Sequence, residues 1–118
     1  FGNIEVMKDL YVIEDTQTVE GVCSVMVRVK PDHPIYRAHF PGHPITPGAV
    51  LFGIAVRLVA SQWAEPKDID EVKNVKFIKP HYPMEHECLT YTFETGKKNV
   101  NVTVSDKDVV FCKMTLIF

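Results

Sequence analysis

No apolar run in this sequence reaches the ~18 residues that a membrane-crossing helix needs. The longest, Ala49 to Ala60, is broken by Gly53 and Arg57, so no membrane span is expected. Nor is there a block of lysine and arginine. The 13 basic and 15 acidic residues give a net charge of −2, with nothing to follow a phosphate backbone, and nucleic acid is excluded as an expected partner. Cysteine is scarce and poorly spaced for chemistry: Cys23, Cys88 and Cys112 are odd in number, far apart and set in apolar or strand-like surroundings. That excludes a disulfide framework and a CxxC metal clip, and it fits a reducing compartment. The chain opens on Phe1-Gly2-Asn3 with no basic segment and apolar core behind it, so a cytoplasmic location is expected. Without repeats, low-complexity tracts or a composition break, residues 1–118 are expected to form one domain. One further absence is local: no aspartate or glutamate occurs between Pro41 and Ala64.

What is present reads as strands around one helix. Leu10 to Thr18 predicts a strand that ends in polar residues, and Glu20-Gly21 turns it into a second strand, Val22 to Lys30. There Val25, Val27 and Val29 alternate with Ser24, Met26, Arg28 and Lys30, the period of a half-buried strand. Pro31-Asp32-His33-Pro34 stops it. After the helix, Val72 to Pro80, Cys88 to Glu94, Asn99 to Val104 and Val109 to Phe118 predict four more strands with hairpin turns at Thr95–Lys98 and Asp106–Asp108. In the last strand, alternation sets Val110, Cys112, Met114, Leu116 and Phe118 on one face and Val109, Phe111, Lys113, Thr115 and Ile117 on the other. The pattern is α+β, an antiparallel sheet wrapped around one long central helix.

The chemistry concentrates in His39 to Ala60. Three prolines and two glycines within His39 to Gly48 hold the backbone rigid around His39 and His43. Thr46 is placed to cap the helix that follows, Pro47 to take its first position, and Gly48 to let another group approach its first turn. From Ala49 onward the helix is too apolar for a surface, and a chain of 118 residues has difficulty enclosing it alone. A second subunit is therefore expected.

The stretch HFPGHPITPG resembles the signature of the 3-hydroxyacyl-acyl-carrier-protein dehydratases, which are hotdog folds. VKFIKPHYPMEHECLTYTFE, Val75 to Glu94, is similar to the strand, lysine, proline and turn that follow that family's helix. The resemblance implies a hotdog fold and a thioester carried on the phosphopantetheine of acyl carrier protein or on coenzyme A, with no other cofactor. It further implies a tunnel between two subunits, His39 as the base that takes the α-proton, and the Gly48 N–H as the holder of the thioester carbonyl. Phe40, Pro47, Phe52, Gly53 and Arg57 are the implied substrate contacts. The sequence departs from the family at one point. The dehydratases carry a carboxylate fourteen residues after the histidine, and here that position is Gly53. Arg57, the only ionisable residue of the helix, lies one turn further on and leans back toward the space left by that carboxylate.

Each signal has a plainer reading. Arg57 either packs its stem in the core with its charge on a carbonyl or carboxylate, or contacts substrate. His39 outside this motif would be a loop residue bonded to a carbonyl. His43 has metal-ligand spacing from His39, but Pro41 and Gly42 remove the helical geometry such spacing requires, and no metal site is expected. His33, His81 and His86 fall in polar turns and are expected to be solvated. Tyr36, Phe40, Phe52 and Trp63 read as core or tunnel lining, and Arg37, Lys76 and Lys79 as a carrier-protein contact or a solvated face. The expected function is a 3-hydroxyacyl-carrier-protein dehydratase-like protein of fatty-acid, lipid or polyketide-type synthesis, forming a homodimer or pairing with a hotdog paralogue. The alternatives are a non-catalytic partner subunit that binds acyl carrier protein, and an acyl thioesterase.

Overall fold

The computed structural model describes residues 9–38, 42, 44–62 and 69–118. Alternating residues form the strands β1 (Tyr11–Val19) and β2 (Val22–Val29), and a short helix α1 (Pro34–Ala38) leads to the long helix α2 (Gly48–Gln62). Four strands follow: β3 (Glu71–Phe77), β4 (Cys88–Thr95), β5 (Asn99–Asp106) and β6 (Val109–Ile117). All pairings are antiparallel, in the order β1-β2-β4-β5-β6-β3, which leaves β1 and β3 at the two edges. The turn after β1 is the two residues Glu20 and Gly21, with φ of 49° and 80°, so it twists with the right-handed strands it joins.

One core fills the sheet's concave side. Val25, Val27 and Val29 of β2, Leu89, Tyr91 and Phe93 of β4, and Val100, Val102 and Val104 of β5 point inward, as the alternation required. Against them lie Val50, Leu51, Phe52, Ile54, Ala55, Leu58 and Val59 of α2. The Tyr91 hydroxyl donates to the Leu51 carbonyl at 2.9 Å, joining sheet to helix at a buried point. This is the hotdog arrangement.

Three expectations change. First, α2 is enclosed by its own chain, with Leu51 to Ala55 buried in an unbroken run, so the helix does not need a second subunit to cover it. Uncovered apolar side chains lie instead on the sheet and its loops: Val75, Phe77 and Ile78, on β3 and just after it, are 40, 58 and 49% exposed, and Ile13, Val19, Met26 and Met84 are exposed as well. Second, Phe111 leaves the outer face. A bulge sets Val104 opposite Cys112 and Ser105 opposite Val110, so Phe111 is the unpaired extra residue and turns inward, 2% exposed. Third, α2 starts one residue later than the capping pattern implied. The Pro47 carbonyl accepts from the Val50 and Leu51 N–H groups at 2.9 and 3.2 Å, which makes Pro47 the cap and Gly48 the first helical residue. The Thr46 hydroxyl is committed elsewhere.

Candidate active site

The start of α2 opens on a cleft of about 370 Å³ lined by Thr46, Gly48, Leu51, Phe77, Ile78, Lys79, Pro80 and His81. Its volume lies within the range of small-molecule sites. Gly48 has no alternative residue here without movement. A Cβ on it would stand 2.6 and 2.7 Å from two carbons of the Phe77 ring, so the ring lies against bare backbone at the first turn. Ahead of the Val50 N–H, which bonds to Pro47, the Gly48 and Ala49 N–H groups have no intrahelical carbonyl to bond, and they carry the positive end of the helix dipole. Such a place stabilises an oxygen that gains negative charge.

The cleft floor is fixed by a buried polar chain. Tyr36, Thr46 and His81 are 1, 4 and 0% exposed. Tyr36 Oη lies 2.9 Å from Thr46 Oγ1, which lies 2.7 Å from His81 Nδ1. His81 Nε2 lies 2.7 Å from the His86 carbonyl oxygen. A carbonyl only accepts, so Nε2 carries a hydrogen. Burial lowers the His81 pKa below its ordinary value, which keeps the ring neutral and makes Nδ1 an acceptor. The direction of the chain then follows: Tyr36 O–H donates to Thr46, Thr46 O–H to His81 Nδ1, and His81 Nε2–H to His86. Burial also raises the Tyr36 pKa, consistent with a phenol that keeps its proton. The backbone adds a second grip, since Thr46 N–H donates to the His81 carbonyl at 2.9 Å. Among the described residues no buried side-chain nitrogen or oxygen lacks a partner.

The expectation of three solvated histidines is therefore corrected. His81 is fully buried, with its edge toward Phe111 at 5.0 Å between ring centroids. His86 packs on the same ring at 5.2 Å and donates Nδ1–H to Asp106 Oδ2 at 2.7 Å. The His33 Nδ1 accepts from the Ile35 N–H at 3.1 Å and so caps α1. Nothing in the spacing of Pro80-His81-Tyr82-Pro83 announces burial. The inward turn of Phe111, which gives the histidines their apolar neighbour, depends on a bulge that alternation conceals.

The residues singled out in the sequence do not all converge. Thr46 and Gly48 line the cleft, with Pro47 between them. His39, Phe40, His43 and Trp63 lie outside the described residues, and so do the side chains of Arg37 and Ala38. Phe52 and Gly53 are buried within α2, Phe52 in the core. Arg57 sits nine residues beyond Gly48, about 13 Å along the axis, where its Nε lies 3.4 Å from the Tyr11 hydroxyl, a weak contact. Among the described residues lining the cleft there is no carboxylate, and Lys79 is the only residue of fixed charge. Burial raises the Cys112 thiol to about 11, so it stays protonated. No helix among the described residues is long and apolar enough to cross a membrane, and no described cluster of His, Cys, Asp or Glu has the form of a metal site.

Comparison with known proteins agrees with this architecture. The dehydratase heterocomplex ApeI:P from Xenorhabdus doucetiae is similar in structure, with a TM-score of 0.75 at 16% identity over 90% of this chain and 95% of that one. An uncharacterized protein from Erwinia carotovora subsp. atroseptica gives 0.63 at 19% identity over 90% of both chains. At these identities the likeness is one of fold. No curated protein matches the sequence. The sequence model of the ApeI dehydratase, ApeI-like, matches residues 14–115, from early β1 to late β6, and the chain belongs to the ApeI-like dehydratase family.

Proposed function

We propose that the chain binds a 3-hydroxyacyl thioester in the cleft at the start of α2 and eliminates water from it, with a second hotdog chain as its partner. The observation that carries this reading is Gly48, a first-turn residue whose bare backbone lines the cleft. Removing the proton next to a thioester places charge on the carbonyl oxygen, and the helix N-terminus is where that charge is stabilised. In this reading His39 takes the α-proton. It then returns that proton to the departing hydroxyl: the C–H and C–O bonds break, the C=C bond forms, and water leaves with the imidazole neutral again. In this reading one group serves as base and acid, with Gly53 standing where the resemblance to the 3-hydroxyacyl-acyl-carrier-protein dehydratases implies a helix carboxylate. The thioester arrives on the phosphopantetheine of a carrier protein or on coenzyme A. Lys79 in the cleft and Lys76 on β3 are exposed cations suited to an acidic carrier surface.

The partner reading draws support from β3, which among the described residues is an edge strand paired on one side only, with exposed Val75 and Phe77, followed by exposed Ile78. The related structure from Xenorhabdus doucetiae is itself a heterocomplex. A second reading, a non-catalytic partner subunit, is favoured by the lack of a carboxylate among the described residues of the cleft. Incubation of the purified chain with a 3-hydroxyacyl carrier-protein thioester distinguishes the two. Water loss that disappears in His39→Ala supports the one-histidine elimination. Wild type without turnover, together with turnover gained in Gly53→Glu, establishes the partner subunit instead. A positioned acid or base contributes about a hundred- to ten-thousand-fold, so wild type is expected to be slow.

A further inference from the structure

We infer that His81 and Thr46 form a positioning clamp that sets the first turn of α2 against the thioester carbonyl; this rests on the thioester reading of the cleft. The clamp holds Thr46 twice, by its side chain on His81 Nδ1 at 2.7 Å and by its backbone N–H on the His81 carbonyl at 2.9 Å. Only Pro47 separates Thr46 from Gly48, and Pro47 has a fixed φ, so a displacement of Thr46 is passed on to the turn with little slack. His81 cannot rotate to follow, because its other nitrogen is bonded to the His86 carbonyl and its ring packs on Phe111. Tyr36 closes the chain from α1. Neither Thr46 nor His81 needs to exchange a proton with substrate in this role. Thr46 O–H and His81 Nε2–H are both committed within the chain, so their contribution is geometric.

The clamp accounts for two features that folding alone does not require: a threonine hydroxyl withdrawn from helix capping, and a fully buried histidine beside an open cleft. A displacement of about 1 Å at a reacting centre costs on the order of a hundredfold in rate. The loss falls on the step in which charge develops rather than on binding, because the hydrogen bond to the oxygen strengthens as the charge forms.

The test compares wild type, Thr46→Val and Thr46→Ser, using the pantetheine thioester of 3-hydroxyoctanoic acid as probe and amide hydrogen exchange of the ligand-free protein as a second measurement. Thr46→Val preserves shape but deletes the hydroxyl. It is expected to lower kcat at least tenfold with KM within threefold of wild type, and to speed exchange of the Val50 and Leu51 amides, which bond to Pro47, by tenfold or more. Thr46→Ser restores both. Unchanged exchange at Val50 and Leu51 in Thr46→Val overturns the clamp whether or not the thioester is turned over. Equal kcat in Thr46→Val and an active wild type overturns it as well. A wild type with no turnover speaks against the dehydratase reading alone, and the exchange measurement still decides the clamp.

Discussion

His81 carries the clearest residue-level consequence for stability. Burial lowers its pKa in the folded chain below the ordinary 6.5 of the unfolded one, so the unfolded state binds more protons between the two values. The stability this neutral histidine supplies is complete above about pH 6.5 and is lost as pH falls toward the lowered folded value. Urea unfolding across about pH 7 to 5 should therefore show wild type losing more stability than His81→Gln, which does not titrate. A second prediction concerns Gly48. Alanine in a helix is ordinarily worth about 0.5–1 kcal/mol over glycine, but here its methyl meets the far end of the exposed Phe77 ring, which must swing aside to admit it. Gly48→Ala should stabilise wild type less than it stabilises a Phe77→Ala background, and a double-mutant cycle by denaturant unfolding reads the difference. His81 was illegible in the sequence for a simple reason. Its burial is produced by contacts with Phe111 and Thr46, 30 and 35 positions away, and no local period encodes them.

At the scale of elements, legibility follows regularity. The run Val25, Val27, Val29 announced an inward face because nothing interrupts it, and the apolar length of α2 announced a core helix. The bulge that displaces Phe111 is a local departure in pairing, so alternation assigned that residue to the wrong face. The same contrast separates the halves of the candidate site. The first turn of α2 could be read from Thr46-Pro47-Gly48, because proline and glycine have backbone preferences that act locally. The polar chain beneath it could not, because it joins three segments through side chains. The β1–β2 turn offers a test at this scale. Glu20 takes φ of 49°, a left-handed conformation that costs an ordinary residue about 1–2 kcal/mol and suits asparagine. Glu20→Asn should raise stability by about 0.5–1 kcal/mol, seen as a higher denaturant midpoint with an unchanged slope.

For the whole molecule, the enclosure of α2 within one chain moves the expected subunit contact from the helix to β3. Replacing Val75 and Ile78 together by lysine should leave the far-ultraviolet circular dichroism of the fold intact and give a monomer by light scattering at micromolar concentration, where wild type alone or mixed with its paralogue is expected to be a dimer. Retention of the dimer would locate the contact elsewhere. The same strand carries a bulge between Lys73 and Lys76, with Asn74 at φ 55°. A sheet edge with open backbone groups and an apolar row is a template on which like chains can stack without end. The kink at Asn74 breaks the straight hydrogen-bonding line that such stacking needs, and Lys73 and Lys76 place charge on either side of the break. The kink thereby makes this edge a poor template for endless growth, and straightening it is expected to make the chain more prone to form fibres.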